Sequence, residues 1–157
     1  MTRQTGASGS RWADLGRTEL IALGKSMVTE RVEELGCQVG APGGLARGHL
    51  DVATPSGLSL EVFVSTQRVG GYVFWTKRRF EPDGHRLAAI VLLDGVQDPS
   101  LYLIPSIEWR HASPPLKDRP NVGKRSEPEY GITLARSSLA ELGRFSWDAQ
   151  VRLGYFL

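Results

Sequence analysis

The sequence has almost no cysteine, no long apolar run and little excess charge, and each of these shortages excludes a class of protein. Its single cysteine, Cys37, can form neither an internal disulfide nor a paired-cysteine metal site, which favours a reducing compartment. No apolar run approaches the roughly 20 residues of a membrane-spanning helix. The polar opening MTRQTGASGSRW has no apolar segment of the kind found in secretory signals. The sequence therefore predicts a cytoplasmic protein without membrane contact.

The net charge of +2 over 157 residues is too small by itself to indicate a polyanionic partner. Basic residues do cluster locally. Lys77, Arg78 and Arg79 are consecutive, and Lys124 and Arg125 end a basic, proline-rich stretch. Most runs of this kind are solvated surface, and they bind phosphate only where they border a site. These five residues are the candidates for contact with nucleic acid.

The length suits one domain with one hydrophobic core. Gly, Ser and Thr dominate residues 1–12, which predicts a disordered lead before a domain over residues 13–157. Apolar residues then recur at helical spacing, and Gly36 is well placed to end a helix. The pattern predicts a helix over residues 17–35.

Short strand-like runs follow the predicted helix. His49–Thr54 and Leu58–Ser65 flank a Pro-Ser-Gly turn and predict a hairpin. The run LAAIVLL at 87–93 is apolar without alternation, which predicts a strand covered on both faces at the centre of the sheet. Prolines and basic residues from Arg110 to Tyr130 predict a long irregular connection. Further strands are predicted at 72–75, 101–104 and 131–135, and a further helix near 137–142.

This order predicts an α+β or mixed α/β domain. A central mixed sheet of about four to five strands would be flanked by the N-terminal helix and by C-terminal helices. The aromatic residues Tyr72, Phe74 and Trp75 lie in an otherwise apolar strand, so they are predicted to belong to the core rather than to stack on bases.

Two carboxylates are predicted to face each other across the hairpin. Side chains alternate along a strand, so Glu61 and Phe63 share one face. A hairpin symmetrical about Ser56 places Asp51 opposite Glu61, and the same register places His49 opposite Phe63. Like charges directly opposite destabilise a sheet, and a divalent cation such as Mg²⁺ would relieve the repulsion. A register shifted by one residue, or two solvated carboxylates on an exposed face, explains the same spacing without a metal.

The segment GHLDVATPSGLSLEVFVSTQR resembles the D-x(n)-E-x-K hairpin of the PD-(D/E)XK nuclease superfamily. The upstream helix GKSMVTERVEELGCQV is similar to the opening helix of small bacterial members of that group. The blocks YVFW, LAAIVLL and LYLIPSIEW are also similar, so the resemblance covers residues 19 to about 135. It implies a restriction-endonuclease-like core in which Asp51 and Glu61 bind the metal.

The chain departs from the family at the residue that acts on water. In the family, a lysine two residues after the glutamate orients and activates the attacking water, and here that position is Phe63. A phenyl ring neither donates a hydrogen bond to water nor stabilises developing negative charge. The opening helix departs as well, because Gly24-Lys25 stands where many relatives have glutamate after the glycine.

Three functions remain open. The leading interpretation is a catalytically impaired nuclease-fold domain that binds DNA or a partner protein, with Asp51 and Glu61 as a vestigial Mg²⁺ site. The second is an active Mg²⁺-dependent DNA endonuclease in which Lys25 replaces the missing lysine. The third is a protein-interaction module whose basic segment from Arg110 to Arg125 docks an acidic partner.

Overall fold

The computed structural model describes residues 12–40 and 49–157, and within them the chain forms a mixed α+β fold. The predicted lead lies outside the described residues except for Trp12, which is 9% exposed and belongs to the core. None of the helices in these two ranges is both long enough and apolar enough to span a membrane. The elements in chain order are α1 (Arg17–Glu34), β1 (Gln38–Val39), β2 (His49–Ala53), β3 (Ser59–Arg68), β4 (Tyr72–Thr76), β5 (Arg86–Leu93), β6 (Ser100–Pro105), β7 (Leu116–Arg119), β8 (Glu129–Thr133), α2 (Leu139–Leu142) and α3 (Trp147–Val151).

The described residues form two sheets. The main sheet has five strands in the order β1-β2-β3-β5-β6, and only the β3–β5 pair is parallel. The second sheet is antiparallel, with the order β4-β8-β7. Parallel neighbours need a long crossover, and here the crossover from β3 to β5 passes through β4 of the second sheet. The prediction of a mixed sheet with a helix before it and helices after it is confirmed.

The two faces of β3 pack in different cores. Leu60 and Val62 lie in one apolar cluster together with Val28 and Val32 of α1. Phe63 points the other way, into a second cluster that contains residues of the second sheet such as Ile132. Because side chains alternate along a strand, α1 covers the even-numbered face of β3 and the second sheet covers the odd-numbered face.

Three predicted features need correction. The run at 87–93 is buried on both faces as predicted, but the middle position of the main sheet belongs to β3, with β5 beside it. The supposedly irregular stretch from 110 to 130 contains β7, whose Leu116 is buried and pairs with Ile132. Its other three residues are charged, so the strand gives almost no apolar pattern. The helix predicted near 137–142 is a 3₁₀ turn, Arg136–Ser138, followed by the short α2.

The close packing of α1 on β3 generates a stability prediction. A Cβ atom at Gly24 would lie 1.9 Å from Thr66 Oγ1 and 3.3 Å from Val64 Cγ1, whereas a Cβ at Gly143 would meet nothing within 4 Å. Alanine in a helix normally stabilises relative to glycine. We expect Gly24→Ala to lower the free energy of unfolding by about 1–3 kcal/mol through overpacking, measured by urea denaturation.

Gly143→Ala is the matched control and should leave stability unchanged or slightly raised. The double variant Gly24→Ala/Thr66→Ala should recover most of the loss, because it removes the hydroxyl that the new methyl group meets. Equal stability of Gly24→Ala and Gly143→Ala would show that α1 does not approach β3 so closely.

Candidate functional site

The two predicted acidic residues lie directly opposite one another on β2 and β3. The register pairs Asp51 with Glu61 and His49 with Phe63, which confirms the register predicted from the hairpin. The turn fixes this alignment, because Gly57 adopts a φ of +91° and its N–H donates to the carbonyl of Thr54 at 2.9 Å. Both carboxylates border one cleft of about 510 Å³.

Glu61 is held by a cation that the sequence analysis did not identify. The parallel pairing of β3 with β5 sets Arg86 beside Glu61, and Arg86 Nε donates to Glu61 Oε2 at 2.8 Å. Arg86 also donates to the carbonyl oxygen of Glu81. The side chains of Arg86 and Glu61 are 21% and 41% exposed, so water reaches the pair but does not surround it. The guanidinium thus offsets the repulsion between the two opposed carboxylates.

Asp51 has a different partner on its own strand. His49 Nε2 lies 3.2 Å from Asp51 Oδ1, with His49 buried and Asp51 largely exposed. His49 Nδ1 is buried and has no hydrogen-bond partner within the described ranges. A neutral imidazole that donates from Nε2 leaves Nδ1 as an acceptor, so this placement fits the Nε2–H tautomer.

Phe63 fills the position of the expected lysine with a buried ring. It is 4% exposed, and its ring lies 5.0 Å from the ring of His49 and 5.1 Å from that of Phe80, measured between centroids. Arg86 Cζ lies 5.9 Å from the Phe63 centroid. Position 63 therefore belongs to the core between the two sheets, and Arg86 of β5 places a cation beside its ring.

Lys25 borders the same cleft as Asp51, but its helix packs on the face of the main sheet opposite to the one that carries Glu61. It is half-buried on α1 and lines a cleft of about 630 Å³ with His49 and Asp51. Glu61 points to the odd-numbered face of β3, and α1 packs on the even-numbered face. This placement gives no support to Lys25 as a substitute for the motif lysine, which would have to act beside both carboxylates.

The site is an acidic pair in which one carboxylate, that of Glu61, is bonded to a guanidinium of the protein itself. Over residues 12–40 and 49–157, no group of three His, Cys, Asp or Glu side chains is arranged to hold a metal ion. A cation at Asp51 and Glu61 would compete with Arg86 for the Glu61 carboxylate. Mg²⁺ prefers oxygen ligands in near-octahedral geometry, and a carboxylate already bonded to a guanidinium fits that requirement poorly.

The two predicted basic clusters meet at one end of the second sheet. Lys77 Nζ lies 2.5 Å from Asp118 Oδ1, and Arg78 Nε lies 2.9 Å from Glu127 Oε1. The N–H of Lys77 donates to the carbonyl of Pro128 at 2.9 Å, which ties the end of β4 to the loop between β7 and β8. Lys124 and Arg125 are exposed in that same loop. Acidic residues of the protein thus balance part of this positive charge.

The aromatic strand β4 faces two ways. Trp75 packs against the second core, with its ring 4.7 Å from that of Phe80, as predicted. Phe74 is 53% exposed and stacks on Tyr72 at 6.1 Å, and both rings lie outside the two apolar clusters, so the prediction that Tyr72 and Phe74 belong to the core is wrong. Tyr72 donates its O–H to Glu129 Oε2 at 3.0 Å.

The chain matches no protein-family model, and comparison with curated proteins and with solved structures finds no match. The resemblance to the nuclease superfamily therefore depends on the residues of the hairpin and its neighbouring blocks.

Arg86 is the site residue that sequence reasoning missed. It directly precedes the run LAAIVLL, and a charged residue at the entrance of a buried strand is a signal that could have marked it. Its partner could not be read from the sequence, because the parallel pairing joins residues that are 25 positions apart.

We expect the loss of Arg86 to cost more stability than the loss of Glu61. Arg86→Met leaves Asp51 and Glu61 facing each other without a cation, whereas Glu61→Gln removes the attraction and the repulsion together. Because Glu61 is 41% exposed, solvent screens the pair, and the coupling energy in a double-mutant cycle should be about 0.5–1 kcal/mol. Urea denaturation of the two single variants and the double variant measures it, and a larger loss for Glu61→Gln than for Arg86→Met would contradict this account.

A pH dependence follows from Tyr72. Burial, together with the hydrogen bond to Glu129, raises the pKa of Tyr72 to about 12 from its ordinary value near 10. The neutral phenol therefore stabilises the fold below pH 10, and this contribution disappears as the pH rises from about 10 to about 12. Phenolate absorbance should show a late ionisation that Tyr72→Phe removes.

Glu129→Gln should lower the pKa of Tyr72, since it removes the negative charge and leaves burial as the main cause. Glu127→Gln is the matched control, because that carboxylate bonds Arg78 and not Tyr72. If the late ionisation persists in Tyr72→Phe, it belongs to another residue, and the account given for Tyr72 is wrong.

Proposed function

We propose that this chain is a nucleic-acid-binding domain with the restriction-endonuclease-like core of the PD-(D/E)XK nucleases, in which hydrolytic activity has been lost. The observation that carries the proposal is the pair of replacements at one site: a buried Phe63 in the lysine position, and a Glu61 carboxylate bonded to Arg86.

The arrangement of elements supports the nuclease ancestry. A helix precedes a hairpin whose strands carry the two acids opposite one another, and a strand buried on both faces pairs with the hairpin. Helices follow at the C-terminal end of the chain. This is the order that the family resemblance predicts, and Asp51 and Glu61 take the two acidic positions.

The chemistry of the site argues against hydrolysis. Phosphodiester cleavage needs a group that orients and deprotonates water near the metal. A guanidinium donates hydrogen bonds and does not act as a proton acceptor, and the guanidinium of Arg86 is bonded to the carboxylate that would bind the ion. Lys25 lies on α1, which packs on the face of the sheet opposite to the one that carries Glu61.

The basic end of the second sheet supports nucleic acid as the ligand, with DNA as the expected form. Lys77 and Arg78 bond to Pro128 and Glu127, which lie in the same loop as the exposed Lys124 and Arg125. Phosphate contacts need no particular base, so such a surface suits a domain that binds without cutting. An acidic partner protein would use the same cations, and the binding experiment below separates the two.

We expect the purified protein to leave plasmid DNA intact in the presence of Mg²⁺ or Mn²⁺, at the level of a Glu61→Ala control. Cleavage by the unaltered protein that Glu61→Ala abolishes would overturn the loss of activity. In that event Lys25→Ala and Arg86→Ala, assayed in parallel, would identify the cation that assists the reaction.

We expect the basic end of the second sheet to carry salt-dependent binding of duplex DNA. Lys124→Ala/Arg125→Ala should weaken binding and reduce the slope of log affinity against log salt by about 0.9 for each phosphate that the variant no longer neutralises. Arg31→Ala/Arg152→Ala is the matched control, because it also removes two exposed positive charges, one from α1 and one from the residue after α3. Equal binding by the two double variants, or no binding by the unaltered protein, would contradict the proposal.

A further inference from the structure

The second sheet has one face turned away from the core. Val73 of β4, Leu116 of β7 and Ile132 of β8 point into the second core. Because side chains alternate along a strand, the residues next to each of these three point outward. We call this surface the outer face. It consists of Tyr72, Phe74, Thr76, Lys117, Arg119, Glu129, Gly131 and Thr133.

Aromatic rings and cations alternate across the outer face. Phe74 is 53% exposed and stacks on Tyr72 with ring planes 23° apart. Arg119 Cζ lies 4.4 Å from the centre of the Tyr72 ring. Lys117 stands on the same rung as Phe74, with Gly131 between them. The outer face therefore has one ring open to solvent on β4 and positive charge on β7.

Gly131 is required for this arrangement. A Cβ atom there would lie 2.0 Å from the Tyr72 hydroxyl oxygen, so any side chain would push the Tyr72 ring away. The one carboxylate of the outer face, Glu129, is 8% exposed, and its oxygens accept from the Tyr72 hydroxyl at 3.0 Å and from Asn121 Nδ2 at 3.3 Å. It therefore presents little negative charge to a ligand.

A cleft lined by both polar and aliphatic side chains continues from the two rings. Tyr72 and Phe74 line one side of a cleft of about 600 Å³, and Ser65 and Gln67 of β3 line another part of it. Arg17, at the start of α1, also borders the cleft. Hydroxyl, amide and guanidinium groups of this kind suit phosphate and sugar oxygens.

We infer that the outer face binds single-stranded nucleic acid, with a base stacked on the exposed ring of Phe74 and phosphates near Arg119 and Lys117. This inference rests on the proposed function, and it names the form of the ligand and the surface that receives it. Aromatic side chains on a basic sheet surface bind single strands because every base has a π-face, whereas the bases of a duplex are stacked on each other. The outer face has no aliphatic side chain, which disfavours a protein ligand.

The test is a titration of a fluorescently labelled oligothymidylate by anisotropy, beside a duplex of the same length. Phe74→Ala should weaken binding of the single strand about tenfold or more and change binding of the duplex little. Phe74→Leu should lose as much affinity as Phe74→Ala, because leucine keeps the apolar area but has no aromatic face on which a base can stack. Phe74→Trp should retain binding. Leu58→Ala is the matched control, because Leu58 is 47% exposed at the turn of the β2–β3 hairpin.

Circular dichroism of each variant verifies folding, and the exposed position of Phe74 makes the substitutions tolerable. Full single-strand affinity in Phe74→Ala, or equal losses for the single strand and the duplex, would overturn the inference and leave the proposed function standing. Failure of the unaltered protein to bind either ligand would overturn the proposed function, and the inference with it.

Discussion

The pairing of β3 with both of its neighbours is the constraint on which the site depends. On one side the hairpin register sets Glu61 opposite Asp51, and on the other side the parallel register sets it beside Arg86. Two carboxylates facing each other cost stability, and the guanidinium bonded to one of them supplies the compensating charge. The acidic pair can therefore persist in the folded protein without a metal ion.

The same registers connect the site to the second sheet. Phe63 belongs to a row of ring contacts that runs through Phe80 to Trp75 and Trp109, with centroid distances between 4.7 and 6.1 Å. A lysine at position 63 would place an ammonium group in this row, where burial penalises charge. Phe63 thus adds apolar contact between the two sheets at the position where the family resemblance predicts lysine.

Local patterns made part of this structure predictable. The helical spacing that ends at Gly36, which has a φ of +86°, gave α1 almost to the residue, and the turn with alternating side chains gave the hairpin register. Tertiary pairing was not predictable. The partner of Glu61 depends on a parallel crossover, which no local pattern indicates. The strand β7 has one apolar residue in four and therefore gives no strand pattern. An aromatic residue in a strand has the same pattern whether it faces the core or solvent, as Phe74 shows.

The burial of β5 on both faces has a consequence for how the protein unfolds. Leu87, Ala89 and Val91 face the helix layer, and Ala88 and Ile90 face the second sheet, so neither layer can separate without wetting this strand. Backbone amides of β5 should accordingly be among the slowest to exchange with solvent deuterium, at the rate of global opening. The helices that cover one face of the main sheet and the second sheet that covers the other then unfold as one cooperative unit. A fragment without the second sheet would expose an apolar surface that is prone to aggregation.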